Sequence, residues 1–105
     1  MRIGIVGGAS KNRSRYEQVA ASNASEVEFH DGYMTSTATQ ALEGLVARSD
    51  VVVVITRVNS HQAVQLARKL TRQRERALLI VRRFGLRHLR ELTCASSQHH
   101  VGATA

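Results

Sequence analysis

The chain contains no proline and no tryptophan, one cysteine, and only two tyrosines and two phenylalanines among its 105 residues. A lone thiol, Cys94, excludes an internal disulfide framework, though it leaves open a bridge between two chains. That usage fits a reducing cytoplasm of the bacterial or archaeal kind. So few aromatic rings give little material for stacking on bases, and no nucleic-acid recognition motif is present. No apolar run approaches the roughly 20 residues that a membrane helix needs, so no membrane association is expected. The opening MRIGIVGG is too short and glycine-rich for a secretory signal and reads instead as a first strand. Also missing are a Ser-His-acid arrangement, paired catalytic carboxylates and a nucleophile elbow, so these residues make no case for a hydrolase.

Against these absences stands an excess of positive charge. Lysine and arginine number 15 against 8 acids, a formal net charge of +7. A basic surface attracts phosphates, nucleic acid or acidic partners, and it also serves simply as a solvated face that keeps a small protein soluble. Apolar residues make up 43% of the chain, enough for a packed core. At this length there is room for one domain. Residues 1–94 read as that domain, and residues 95–105, small and polar, read as a flexible C-terminal tail.

Strand and helix signals alternate along the chain. Residues 2–6, RIGIV, form a strand ending in Gly7-Gly8. A first helix is expected over 12–23, where Tyr16, Val19 and Ala20 lie at helical spacing. Val27 to His30 read as a short strand stopped by the turn dipeptide Asp31-Gly32. Thr37 and Gln40 fit a capping box, and Ala38, Ala41, Leu42 and Leu45 follow it as one buried stripe. Val51 to Ile55, five branched apolar residues, suit a strand covered on both faces. A third helix is expected from Asn59 or Ser60 to about Arg74, with Ala63, Leu66, Ala67 and Leu70 inward. Ala77 to Val81 form a fourth strand, and Leu86, Leu89 and Leu92 mark a last amphipathic helix. Connections this long cannot be hairpins, so the strands pair in parallel through right-handed crossovers. The expected fold is a small Rossmann-like, three-layer α/β domain with a four-stranded parallel sheet of order 2-1-3-4.

In such a sheet, ligands bind outside the carboxyl ends of the strands, where the strand order reverses. The loops there carry most of the interesting polar residues. Gly7, Gly8, Ser10 and Lys11, next to a helix start, suit an anion cradle, although their spacing is neither a Walker loop nor a dinucleotide fingerprint. The same turn serves equally as a plain strand-to-helix connection. Arg57, Asn59 and Ser60 follow the third strand, and Arg82 and Arg83 follow the fourth; guanidinium forks bind carboxylates and phosphates at two points. His30 and His61 sit on neighbouring loops and suit either proton transfer or metal ligation, without the close spacing of a dedicated metal motif. His99 and His100 lie in the tail as surface residues, and Cys94 reads as a packed, inert thiol.

Gly7-Gly8 after the first strand, Tyr16 in the first helix, His30-Asp31-Gly32 and Ser60-His61 together resemble the bacterial domain of unknown function 2325. The resemblance covers about residues 1–92 and implies a small Rossmann-like domain. Members of that family commonly place a second histidine before the His-Asp-Gly element, where this chain has Phe29. They often place a further glycine after it, where this chain has Tyr33.

Three functions follow as expectations. The first is a ligand-binding or sensory module holding a small anionic molecule, such as a nucleotide or another phosphate compound. The second is a metal- or haem-binding protein using His61 with His30, possible across a homodimer that would also cover a sheet edge. The third, ranked lower, is non-specific nucleic-acid binding through Arg68, Lys69, Arg72, Arg74 and Arg76.

Overall fold

The computed structural model describes residues 1–7, 13–32, 37–57 and 61–94. Strands β1 (Arg2–Val6), β2 (Glu26–His30), β3 (Val51–Ile55) and β4 (Ala77–Val81) alternate with helices α1 (Arg13–Ser22), α2 (Ala38–Arg48) and α3 (His61–Gln73). A last helix, α4, occupies residues 86–94. The sheet has the order β2-β1-β3-β4 and every pairing is parallel. That is the expected topology: parallel pairing from the crossover lengths and the order of a doubly wound sheet.

Alternation along the strands sorts the apolar side chains into two clusters, one on each face. On the first face Ile3, Ile5, Val51, Val53 and Ile55 pack against Ala20 of α1 and against Phe84 and Leu89 at and within the α4 region. On the second, Val6, Val52 and Val54 pack against Leu42, Leu45 and Val46 of α2 and Ala67 and Leu70 of α3. Helices therefore cover both faces, giving three layers. All five residues of β3 are buried, which explains why that strand has no polar position. Gly4, in the central strand β1, faces α2 so closely that a Cβ there would collide with Leu45 and Ser49. Glycine at this position sets how near the helix can lie.

Two local expectations need correction. Thr37 is the N-cap residue of α2, but its side chain makes no capping hydrogen bond. Its backbone (φ −102°, ψ −6°) is already close to helical, whereas a capping side chain works from an extended cap residue. The buried stripe of α2 is Ala38, Leu42, Leu45 and Val46, while Ala41 is exposed. With 3.6 residues per turn, the stripe advances by four, three and one, and position 41 rotates outward.

Candidate functional site

The site is set by where the strands stop. His30, Val6 and Val54 lie side by side in register at the carboxyl ends of β2, β1 and β3. At a strand spacing of about 4.8 Å, the three ends form a rim roughly 10 Å across. The chain leaves β1 towards β2 on one side and returns to β3 on the other, so the strand order reverses within this rim. Gly7 turns out of β1 with φ 92°, a left-handed conformation that suits glycine. Its N–H donates to the His30 carbonyl at 2.8 Å, fastening the β1 exit to the end of β2.

His30 is buried, and both ring nitrogens are engaged. The Gly32 N–H lies 3.0 Å from Nδ1, and Nε2 lies 3.2 Å from the Ala38 carbonyl. A backbone amide can only donate and a carbonyl can only accept, so the partners assign a neutral ring with its proton on Nε2. Gly32 itself has φ 87°, which lets the turn double back so that its amide reaches the ring. His30 therefore ties the end of β2 to the first turn of α2. Asp31 is exposed, with its carboxylate 3.8 Å from His30 Nδ1.

His61 differs at every point. It opens α3, is exposed, and its Nε2 lies 3.0 Å from Gln65 Nε2 one turn along the helix. An amide nitrogen is a donor, so His61 Nε2 accepts and the ring proton is assigned to Nδ1. Among the described residues no group of three His, Cys, Asp or Glu side chains could hold a metal ion. With both ring nitrogens engaged in this way, His30 offers no lone pair to a metal in the arrangement described.

Arg57, Arg82 and Arg83 are all exposed at the ends of β3 and β4. No described carboxylate lies within ion-pair distance of any of them. The helices α1, α2 and α3 all start on this side of the sheet, and none carries an acid in its first turn. Gly8, Ser10, Lys11, Asn59 and Ser60 lie outside the described residues. So does the whole 95–105 segment.

Residues 2–95 match a family described as an uncharacterised protein conserved in bacteria, domain of unknown function 2325. The chain belongs to this family. No curated protein and no solved structure matches it. The domain-2325 match runs from β1 through α4, so it takes in all four strand ends.

A second cluster beside the rim was not legible as a unit in the sequence. The Tyr16 hydroxyl donates to the Phe84 carbonyl at 2.9 Å, and burial raises the Tyr16 pKa above its ordinary 10.0. Tyr16 meets Phe29 edge to face at 5.8 Å, and the Arg13 guanidinium lies 5.3 Å over the Phe29 ring. In this domain-2325 chain, Phe29 thus fills the space between β2 and α1 as a packing residue. Phe84 stacks near His88, whose Nδ1 accepts from the Gly85 N–H at 3.0 Å. Cys94 is partly buried, with Sγ 3.6 Å from Asn23 Oδ1. Among the described residues, no helix is long and apolar enough to cross a membrane.

Proposed function

We propose that this domain is a ligand-binding or regulatory module that holds a small anion, such as a nucleotide or another phosphate compound, at the carboxyl ends of its strands. One observation carries the reading. Three helices begin beside the point where strand order reverses, none with an acid in its first turn, and exposed Arg57 stands at the same rim. The free amides and partial positive charge of helix N-termini stabilise anions, and a guanidinium adds directional donors. Gly7 brings main chain close to the same place without a side chain in the way.

The test is native mass spectrometry of protein purified gently from cells supplied with iron and haem, followed by titration with nucleoside mono- and diphosphates. The expected result is an organic phosphate adduct, or a nucleotide affinity that falls about tenfold or more in Arg57→Ala. Unchanged affinity in Arg57→Ala would remove the ligand from this rim. A metal or haem adduct lost in His61→Ala would replace the proposal with a metal site.

A further inference from the structure

Among the described residues β4 has no strand on its outer side, and three independent features meet on this edge. The first is its backbone. The Val81 carbonyl accepts from Thr56 N–H at 2.8 Å, so Val81 faces inward to β3. Peptide groups alternate in direction along a strand, so the N–H and C=O groups of Leu78 and Ile80 turn outward.

The second feature is apolar exposure on both faces of that edge. Leu79 is 37% exposed and Ile80 40% exposed, the only large hydrophobic residues so exposed among those described. Beside Leu79 runs a groove of about 290 Å³ lined by Leu79, Val81, Phe84, His88, Glu91 and Leu92. On the other face Leu78 packs against the α3 cluster, to which Leu66 also belongs. An extended segment laid along β4 would therefore meet apolar surface with side chains pointing either way.

The third feature is charge. Residues 1–56 carry five basic and six acidic side chains, whereas residues 57–105 carry ten basic and only Glu75 and Glu91. The excess brackets the strand, with Arg74 and Arg76 before it and Arg82 and Arg83 after it, all exposed. A second copy of this chain is a poor occupant. Two antiparallel β4 strands paired about Leu79 align all five apolar residues, but they set Arg76 opposite Arg82 of the other copy.

We infer that β4 is a docking edge for an extended segment of a partner protein, apolar at its centre and acidic on both flanks, which adds to the sheet as a fifth strand. The outward groups of Leu78 and Ile80 supply the ladder, the Leu79 groove takes one apolar side chain, and the bracketing arginines select acidic flanks. This surface lies along the edge of the sheet and does not depend on the anion site at the rim.

The experiment uses the full chain and a short synthetic peptide with a valine and isoleucine core flanked by aspartates. Comparison probes are the same peptide with lysine flanks, a backbone N-methylated version, and a single-stranded oligonucleotide of matching charge. Binding is followed by fluorescence anisotropy. The acid-flanked peptide is expected to bind at least about tenfold more tightly than the lysine-flanked or N-methylated forms. Leu79→Lys separates the mechanisms by sign. It adds positive charge, so simple electrostatic attraction would strengthen, whereas strand addition weakens because the apolar contact is lost. Tighter peptide binding by Leu79→Lys, or equal binding of the N-methylated peptide, overturns the inference. So does an oligonucleotide that binds as well as the peptide. A dimer in sedimentation that Leu79→Lys dissociates would also overturn it, because a second copy would then hold the edge.

Discussion

At one edge of the sheet, β2 alternates Glu26 and Glu28 with apolar residues, and each acid is held by an arginine. Arg2 Nε donates to Glu26 at 2.9 Å, and Arg48 Nε donates to Glu28 at 2.9 Å. At the other edge, β4 offers Ala77-Leu78-Leu79-Ile80-Val81 with no charged residue within the strand. Charged, occupied side chains are a usual way to keep a strand edge from pairing with other chains. Among the described residues, one edge is thus blunted and the other left open. The contrast separates two tasks a small sheet must perform, which are to hold itself together and to offer a surface.

If that division is right, substitutions should grade from the middle of the sheet outward. The largest effect belongs to the core between the edges. Leu42 is fully buried against the sheet, so Leu42→Ala should destabilise by about 2–5 kcal/mol in urea unfolding. Next comes the latch at the β2 end. His30→Ala leaves the Gly32 amide and the Ala38 carbonyl without the ring that serves both, so a loss of about 2 kcal/mol is expected. A loss below about 0.5 kcal/mol would mean that the latch is ornamental.

Tyr16→Phe should cost about 1 kcal/mol, because it removes the hydroxyl bond to Phe84. It should also change the alkaline limb. Burial raises the folded-state pKa of Tyr16 above its ordinary 10.0. The protonated phenol is therefore favoured in the folded state, and the unfolded chain loses that proton first. This contribution is fully present below the ordinary value and declines as pH rises through the folded-state value. Urea midpoints measured from about pH 9 to 11 should fall less steeply in Tyr16→Phe than in the parent.

The smallest effects belong to the two edges themselves, and they should differ in kind. A double-mutant cycle on Glu28 and Arg48, both about half exposed, should return roughly 0.2–1 kcal/mol that shrinks with added salt. Leu79→Ser should also move stability by less than about 1 kcal/mol, with no salt dependence of its own. A large loss in Leu79→Ser would show that β4 is closed by its own chain and offers nothing outward.

The parts legible in the sequence were those fixed by periodicity and by connection length. Val51 to Ile55 can hardly be anything but a central strand, and connections as long as 31–50 and 56–76, each with a helical pattern, suit parallel crossovers and not hairpins. Strand order rests further on taking the simplest doubly wound arrangement, with helices on both faces. Side-chain partners do not follow in the same way. Thr37 and Gln40 have the right identities for a capping box, but the backbone angles of Thr37 decide the matter and a residue type does not report them. His30 and His61 look alike as loop histidines. Burial and a glycine amide make one a structural tie, while a helix start leaves the other exposed. The uneven spread of charge was present in the sequence as arginines crowding after residue 57. A single net charge for the chain conceals it.

The tie between Tyr16 and Phe84 spans 68 residues of chain, and Asn23 reaches Thr93 across 70. Helix α1 has only Ala20 buried, and the apolar cluster covering it is completed by Phe84 and Leu89. A ribosome therefore delivers the cover for the first helix long after the helix itself, about 60 to 70 residues later. While the nascent chain is still short, α1 and β2 lack the apolar cover that Phe84 and Leu89 supply. Amide hydrogens of α1 should consequently exchange in step with those of residues 86–94 and not with those of α2, although α2 is the nearer neighbour in order of synthesis.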